Sequence, residues 1–208
     1  PHHPCMFSHL TRLGEVDIYG GATDIALMPF LERGGRYDRL FWEFWDAKLP
    51  VATNTPCYGA LSGTCREPTP AEVRVRNYKA LILGSRGLCA YTFRCASVGT
   101  WREFSRIGRE MKTLGPILLT PDDRLRVDVT PGDPDVFALL KKHKGKSYLI
   151  AANTASDKVD ALFRLADVRR FGKVVPMFDS PAPSRIDVRA KTITVPMPAQ
   201  GVGVYEIR

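Results

Sequence analysis

The sequence predicts a chain of two parts, an α/β part over residues 1–119 and an all-β part over residues 120–208. In the first part, apolar strand-like segments alternate with helical stripes, which is typical of parallel strands joined by right-handed crossovers. In the second part, short strands separated by Gly, Pro, Asn and Asp turns indicate an antiparallel β-sandwich. Gly115-Pro116 and Pro121 interrupt the chain where the pattern changes, so we place the domain boundary near residue 120.

Three strands and three helices alternate in the α/β part. Thr69-Pro70-Ala71-Glu72 has the sequence of a capping box with proline at the first helical position, which predicts a helix start. Thr100-Trp101-Arg102-Glu103 repeats the box, and Gly115-Pro116 should end that helix. The apolar stripe of this last helix consists of Phe104, Ile107, Met111 and Leu114. The predicted strands are residues 15–20, 49–54 and 88–93, and the predicted helices are residues 36–48, 69–83 and 100–114.

Eight short strands are predicted in the all-β part. A cationic run, Lys141-Lys142-His143-Lys144 with Lys146, falls between the second and the third of them, and we interpret it as the solvated tip of a β-hairpin. The eight strands are residues 125–129, 136–141, 147–152, 159–165, 173–178, 185–188, 192–195 and 202–207.

Composition and charge limit the classes of function. With 44% hydrophobic and 25% charged residues, the chain has the composition of an ordinary globular protein, and no apolar run is long enough to cross a bilayer. The net charge of +8 is spread evenly along the sequence, and no nucleic-acid-binding motif accompanies it, so we expect neither a nucleic-acid nor a membrane partner. The start Pro1-His2-His3-Pro4 indicates an internal start, and we expect the chain to be a fragment of a longer protein.

The cysteines and histidines predict no metal site and no cofactor. Five cysteines cannot all pair within one chain, so the compartment stays open, with secretion or the periplasm favoured. Cys57 and Cys65 flank a Gly-rich loop and are candidates for a disulfide, whereas Cys89 lies in an apolar strand pattern. The spacing of the N-terminal cluster matches no zinc motif, so we interpret that cluster as a loop or an unstructured end. Its members are His2, His3, Cys5 and His9.

Several motifs resemble those of a known enzyme family. Residues 66–74 (REPTPAEVR), residues 78–88 (YKALILGSRGL) and residues 101–114 are similar to the last barrel units of (β/α)8 glycoside hydrolases of the beta-galactosidase-like kind. Residues 148–154 and 195–207 look like the C-terminal β-sandwich of the same enzymes. The resemblance covers most of the chain from about Glu15.

This resemblance implies a fold and an incomplete catalytic site. The three strands would be strands six to eight of the barrel, residues 120–208 would be the C-terminal sandwich, and strands one to five would lie upstream. In retaining members of the family, the acid/base is a glutamate after strand four, which this chain would lack. The nucleophile is a glutamate at the end of strand seven, where this sequence has Asn54 or Thr55. We therefore expect a glycoside hydrolase fragment that is inactive alone, binds oligosaccharides or glycosides, and associates through its incomplete barrel.

Candidate site residues lie where barrel strands end, because the carboxyl ends of the strands face the substrate in such barrels. We predict Asp24 and Glu67 as catalytic candidates. Asp24 has an alternative role as a helix cap, and Glu67 an alternative as a solvent ion pair with Arg66 or Arg74. The predicted substrate-binding residues are Tyr19, Asn54, Tyr58 and Arg94. Trp101 is interpreted as a core residue more readily than as a platform for sugar stacking.

Two hypotheses about the function remain open at this point. In the first, the chain is the C-terminal portion of a carbohydrate-active hydrolase and contributes substrate contacts. In the second, it is a non-catalytic carbohydrate-binding or structural module, such as a pseudo-glycosidase. A barrel fold alone does not separate these two, because barrels carry many chemistries.

Overall fold

The computed structural model describes residues 19–22, 51–56, 68–85, 87–91, 97–120, 125–132 and 135–208. The chain divides into two compact units, residues 1–105 and residues 106–208, which we call unit 1 and unit 2. This division falls within a continuous helix, whereas the sequence places the boundary just after that helix, near residue 120. None of the described helices has an apolar stretch long enough to cross a membrane.

Unit 1 contains a three-stranded parallel sheet. Its strands are β1 (Tyr19–Ala22), β2 (Val51–Pro56) and β3 (Gly87–Tyr91), in the order β1-β2-β3. Both pairings are parallel, as the strand–helix alternation predicts. The predicted helix over residues 36–48 and most of the predicted strand over residues 15–20 lie outside the described residues.

The first described helix, α1 (Pro70–Leu83), begins with the predicted capping box. The Thr69 hydroxyl accepts from the amide of Glu72 at 3.2 Å, and the Glu72 carboxylate accepts from the amide of Thr69 at 2.7 Å. These two bonds satisfy amides that have no partner within the helix, so the start of α1 is fixed by its own sequence. Gly84 ends the helix with φ of 111°, a left-handed conformation that favours glycine.

The second described helix, α2 (Val98–Leu118), differs from its prediction at both ends. It begins two residues earlier, because the Ser97 hydroxyl accepts from the amide of Thr100 at 3.3 Å and acts as the cap in place of Thr100. Pro116 does not stop it: a proline removes only its own amide bond, and the helix continues to Leu118. The amide of Leu119 still donates to the carbonyl of Gly115 at 2.9 Å.

The buried stripe of α2 is also different from the predicted one. Ile107 and Leu114 are buried as predicted, but Phe104 and Met111 are only half-buried. The buried positions recur every three or four residues and include two glutamates, each paired with an arginine. These positions are Thr100, Glu103, Ile107, Glu110, Leu114 and Ile117.

Unit 2 is a sandwich of two four-stranded antiparallel sheets, and each of the eight predicted strands has an observed counterpart, although the first begins at Asp128 rather than at Leu125. One sheet has the order β5-β6-β11-β8 and the other β4-β7-β10-β9. The strands are β4 (Asp128–Thr130), β5 (Val136–His143), β6 (Lys146–Asn153), β7 (Val159–Arg164), β8 (Val174–Met177), β9 (Arg185–Asp187), β10 (Thr192–Met197) and β11 (Val202–Ile207).

The sandwich core lies between the inner faces of the two sheets. Along β7 and β10, buried and accessible residues alternate, as expected for strands with one face against a core. Phe163, Ile193, Leu149 and Tyr205 are fully buried members of this core. This alternation explains why β7 and β10 were recognisable in the sequence, since period-two burial requires period-two hydrophobicity.

The outer face of the β5-β6-β11-β8 sheet is buried as well, at Ile150, Ala152 and Val204. The part of α2 that belongs to unit 2 is tied to both edges of this sheet. Arg106 forms an ion pair at 2.5 Å with Asp179, which follows edge strand β8, and Thr120 contacts edge strand β5 through His143 at 2.8 Å. This part of α2 therefore lies across the outer face of the sheet.

The β5–β6 connection confirms the predicted hairpin but not its solvated Lys141. Lys141 is only 5% exposed, and its ammonium donates to the carbonyl of Thr120 at 2.8 Å. A cation beside the carbonyls at a helix C-terminus is favourable, which explains the burial of this lysine. Lys142 and Lys144 remain exposed.

The strand directions give the sandwich two ends. The hairpin turn Lys144-Gly145, the start of β8 and the end of β11 meet at the end that we call the hairpin end. The ends of β7 and β9 and the start of β10 lie there too. At the other end, buried Asn153 donates to the carbonyls of Asp157 and Pro198 and so ties two connections together. We call this the Asn153 end.

Candidate functional site

The carboxyl edge of the parallel sheet is the place where the sequence predicts a site. Because all three strands run in the same direction, their carboxyl ends lie along one edge. The last described row across β2 and β3 pairs Pro56 with Tyr91. Tyr91 also lies at this edge, but it is not among the predicted site residues, because the sequence predicts that β3 continues to residue 93.

Two of the predicted site residues have a described backbone position, and they lie in different rows of the sheet. Asn54 is within β2 rather than after it, two residues before the strand ends, and its row contains Ala22 and Cys89. Tyr19 pairs with Val51, at the amino end of β2. Three residues of strand separate the two rows, a distance of about 10 Å. The backbone therefore places Asn54 near the carboxyl edge and Tyr19 away from it.

The other four predicted site residues lie outside the described residues and stay predictions. They are Asp24, Glu67, Tyr58 and Arg94. The N-terminal cluster with His2, His3, Cys5 and His9 lies outside them too. Within the described ranges, no group of three His, Cys, Asp or Glu side chains is arranged to hold a metal ion.

Two elements of unit 1 flank the predicted loops. The capping box of α1 begins two residues after Glu67, and α2 begins four residues after Arg94. An ion pair joins the two helices: Arg74 donates to Glu103 at 2.9 Å, and both side chains are nearly buried. The guanidinium of Arg74 also lies 5.0 Å from the centre of the Tyr78 ring. The ion pair between Arg74 and Glu103 fixes the starts of the two helices relative to each other.

Trp101, interpreted from the sequence as a core residue, is 37% exposed, so that interpretation is wrong. Its ring lies at an angle of 57° to that of Phe104, with 6.4 Å between the ring centres. The sequence misled because the true buried stripe of α2 passes through Thr100 and Glu103, on either side of the tryptophan. Position 101 thus faces away from the stripe.

An electrostatic cluster lies in unit 2, around Glu206. Its carboxylate accepts from Lys146 at 3.1 Å, from the Tyr148 hydroxyl at 3.2 Å, and from Arg208. Burial would raise the pKa of Glu206, but the hydrogen bonds and charges of Arg208 and Lys146 outweigh this effect and lower it. Burial and the neighbouring Glu206 raise the pKa of Tyr148. The carboxylate is occupied by its own neighbours, so this cluster braces adjacent strands and offers no open catalytic group.

Comparison with known proteins places this fold among solved glycoside hydrolases. An alpha-amylase from H. orenii matches 99% of this chain with a TM-score of 0.55 and 10% identity, and 51% of its own chain is covered. A GH30 endoxylanase from Clostridium papyrosolvens matches 95% of this chain with a TM-score of 0.52 and 14% identity, and 50% of its own chain is covered. AmyP, solved in complex with maltose, matches 82% of this chain with a TM-score of 0.53 and 11% identity, and 43% of its own chain is covered.

These likenesses concern the fold and only a part of each enzyme. The sequence matches no protein-family model and no curated protein. The chain spans between 43% and 51% of the length of the three structures named above. Its fold is therefore similar to part of a glycoside hydrolase.

Proposed function

We propose that this chain is the C-terminal portion of a carbohydrate-active glycoside hydrolase. In this proposal β1, β2 and β3 are strands six to eight of a (β/α)8 barrel, and the sandwich is the C-terminal domain, with the boundary near residue 120. The observation that carries it is the succession of a parallel sheet in the order β1-β2-β3 and a two-sheet antiparallel sandwich. That succession matches an alpha-amylase over 99% of this chain.

The proposed site lies at the carboxyl edge of the parallel sheet, with Asn54, Tyr58 and Arg94 as substrate contacts. The row position of Asn54, two residues before the end of β2, supports its role. Tyr19 is a weaker member, because its row lies at the other edge of β2. Asp24 and Glu67 are the candidate carboxylates, proposed to act on the substrate in the complete barrel and not in this chain alone.

The narrower proposal of a beta-galactosidase-like enzyme rests on sequence motifs. The PTPAEVR motif is supported as a structural unit, because its threonine and glutamate form the capping box of α1. The solved structures named above are an amylase, a xylanase and a maltose complex. An oligosaccharide is thus the proposed ligand class, and beta-galactosides are the first to test within it.

Calorimetric titration of the 208-residue chain with lactose, maltotriose and xylotriose tests the binding proposal. We expect weak binding of at least one sugar, lost in Asn54→Ala and in Tyr58→Ala. Lys158→Ala, an exposed change at the Asn153 end, is the matched control and should leave binding unchanged. Binding of no sugar, or equal binding by all four proteins, would reject the proposed site.

A parallel assay with aryl glycosides tests catalysis. We expect no measurable turnover, because Asn54 or Thr55 stands where a carboxylate nucleophile is needed for retention. Turnover that disappears in Asp24→Asn or Glu67→Gln would show that this chain carries the catalytic groups itself.

A further inference from the structure

The net charge of unit 2 is concentrated at the hairpin end, although the sequence distributes basic residues evenly. Antiparallel strands return the chain to the same end at every second connection. The β5–β6 hairpin, the connection from β7 to β8 and the turn from β9 to β10 all meet there. Six of the exposed cations on these three connections and the strand ends beside them are Lys142, Lys144, Arg169, Arg170, Lys173 and Arg189.

The acidic side chains at this end have groups other than those cations as their hydrogen-bond and ion-pair partners. Asp167 accepts from the amide of Arg126 at 2.7 Å, and Asp187 accepts from the amide of Ala190 at 2.9 Å. Asp128 pairs with Arg126 at 2.9 Å, and Glu206 is held by Lys146, Tyr148 and Arg208. Among the described residues, no ion pair joins any of the six cations to an acid.

The Asn153 end has the opposite character. It carries Asp135, Asp157 and Asp160, with Lys158 as an exposed cation among them and with Asp179 paired to Arg106. A surface with cations at one end and carboxylates at the other has a directed field, which attracts a polyanion to one end. We call the six cations and their connections the basic end.

We propose that the basic end binds a carboxylated polysaccharide. Spaced lysines and arginines pair with the regularly spaced carboxylates of such a chain, and arginine does so with two parallel hydrogen bonds. This choice of polyanion rests on the proposed function as a carbohydrate-active protein.

A single-stranded nucleic acid fits this surface less well. Proteins that bind single strands stack bases on exposed aromatic rings. The exposed aromatic residues of the described chain are Trp101, in unit 1, and Phe178, which follows β8 towards the Asn153 end. The basic end thus offers charge without a stacking platform among the residues that the structure describes.

Binding of polygalacturonate by the full chain, measured by calorimetry at low and physiological salt, tests this inference. We expect binding that weakens steeply with salt, since exposed charges are screened. The double variant Arg169→Glu/Arg170→Glu should weaken binding about tenfold, from the loss and reversal of two charge pairs. The double variant Lys158→Glu/Arg185→Glu makes the same change in net charge away from the basic end and should bind like the parent.

Three outcomes would overturn the inference. They are no binding of polygalacturonate at low salt, equal loss in both double variants, and tighter binding of single-stranded RNA or of anionic phospholipid vesicles than of polygalacturonate. Failure of the proposed function is separate from these outcomes. It appears as loss of neutral-sugar binding, which depends on Asn54 and Tyr58 and should be unchanged in Arg169→Glu/Arg170→Glu.

Discussion

The helices α1 and α2 bury their residues in opposite ways. In α1 every residue from 72 to 82 is buried except Arg74, and the buried set includes Arg76, Asn77 and Lys79. In α2 the buried residues form a single stripe, three or four positions apart, and the rest of the surface is accessible. A helix with one buried stripe packs against one layer, whereas a helix buried all round is enclosed by several.

This difference shows what a capping motif can and cannot predict. The capping box located the start of α1 correctly because both of its bonds are local. The same four-residue pattern in α2 failed because Glu103 pairs with Arg74 across 29 residues and is unavailable as a cap. A local capping motif predicts the start of a helix only where its side chains are not used in tertiary contacts.

The largest expected effect on stability is that of removing the Tyr78 ring, a buried side chain of α1. Tyr78 is fully buried beneath the Arg74 guanidinium, so Tyr78→Ala should lower the free energy of unfolding by about 3–5 kcal/mol. Trp101→Ala, at an accessible position of α2, should lower it by about 2 kcal/mol or less. Urea unfolding followed by circular dichroism measures both. Equal decreases in the free energy of unfolding for the two variants would contradict the difference in burial between the two helices.

Replacing a proline by alanine should change the free energy of unfolding by a smaller amount, and the sign of the change should differ between the two helices. Pro116→Ala should raise the free energy of unfolding by about 1–2 kcal/mol, because an interior proline costs about 3 kcal/mol and its removal frees the unfolded chain by about 1 kcal/mol. Pro70 occupies the start of α1, where its fixed φ suits the helix, so Pro70→Ala should lower it by about 0.5–1 kcal/mol. Thermal unfolding of the two variants gives the signs, and a loss in Pro116→Ala would mean that this proline is needed where it stands.

The smallest effect extends the comparison to a partly buried charge in the sandwich, that of Glu206. The pKa of Glu206 is lower in the folded than in the unfolded chain, so its contribution is present above about pH 4.3 and is lost as pH falls through the folded pKa. Glu206→Gln should therefore flatten the loss of stability below that pH, by about 1 kcal/mol or less. Acid titration of stability measures this flattening, with Asp160→Asn, an exposed change, as the control. An unchanged titration in Glu206→Gln would contradict the lowered pKa.

The eight strands of the sandwich were predictable from the sequence, although β4 begins three residues later than predicted, and the rest of the chain was predictable in part. Alternating burial along β7 and β10 leaves a period-two pattern that the sequence carries locally. The burial of Lys141 depends on a helix carbonyl 21 residues away, which no local pattern reports. At the candidate site, the sequence shows that Asn54 is a polar residue near the end of a strand. Its position across the sheet could not be predicted, because it depends on how β2 pairs with β1 and β3.

The order of strands in the sandwich has a consequence for synthesis on the ribosome. The chain passes back and forth between the two sheets, and β11 is inserted between β6 and β8 rather than added at an edge. Until residues 202–207 leave the exit tunnel, β6 and β8 have no strand between them and expose unpaired edges. The β5-β6-β11-β8 sheet therefore cannot be completed stepwise as its strands are synthesised, and it forms only once β11 is available.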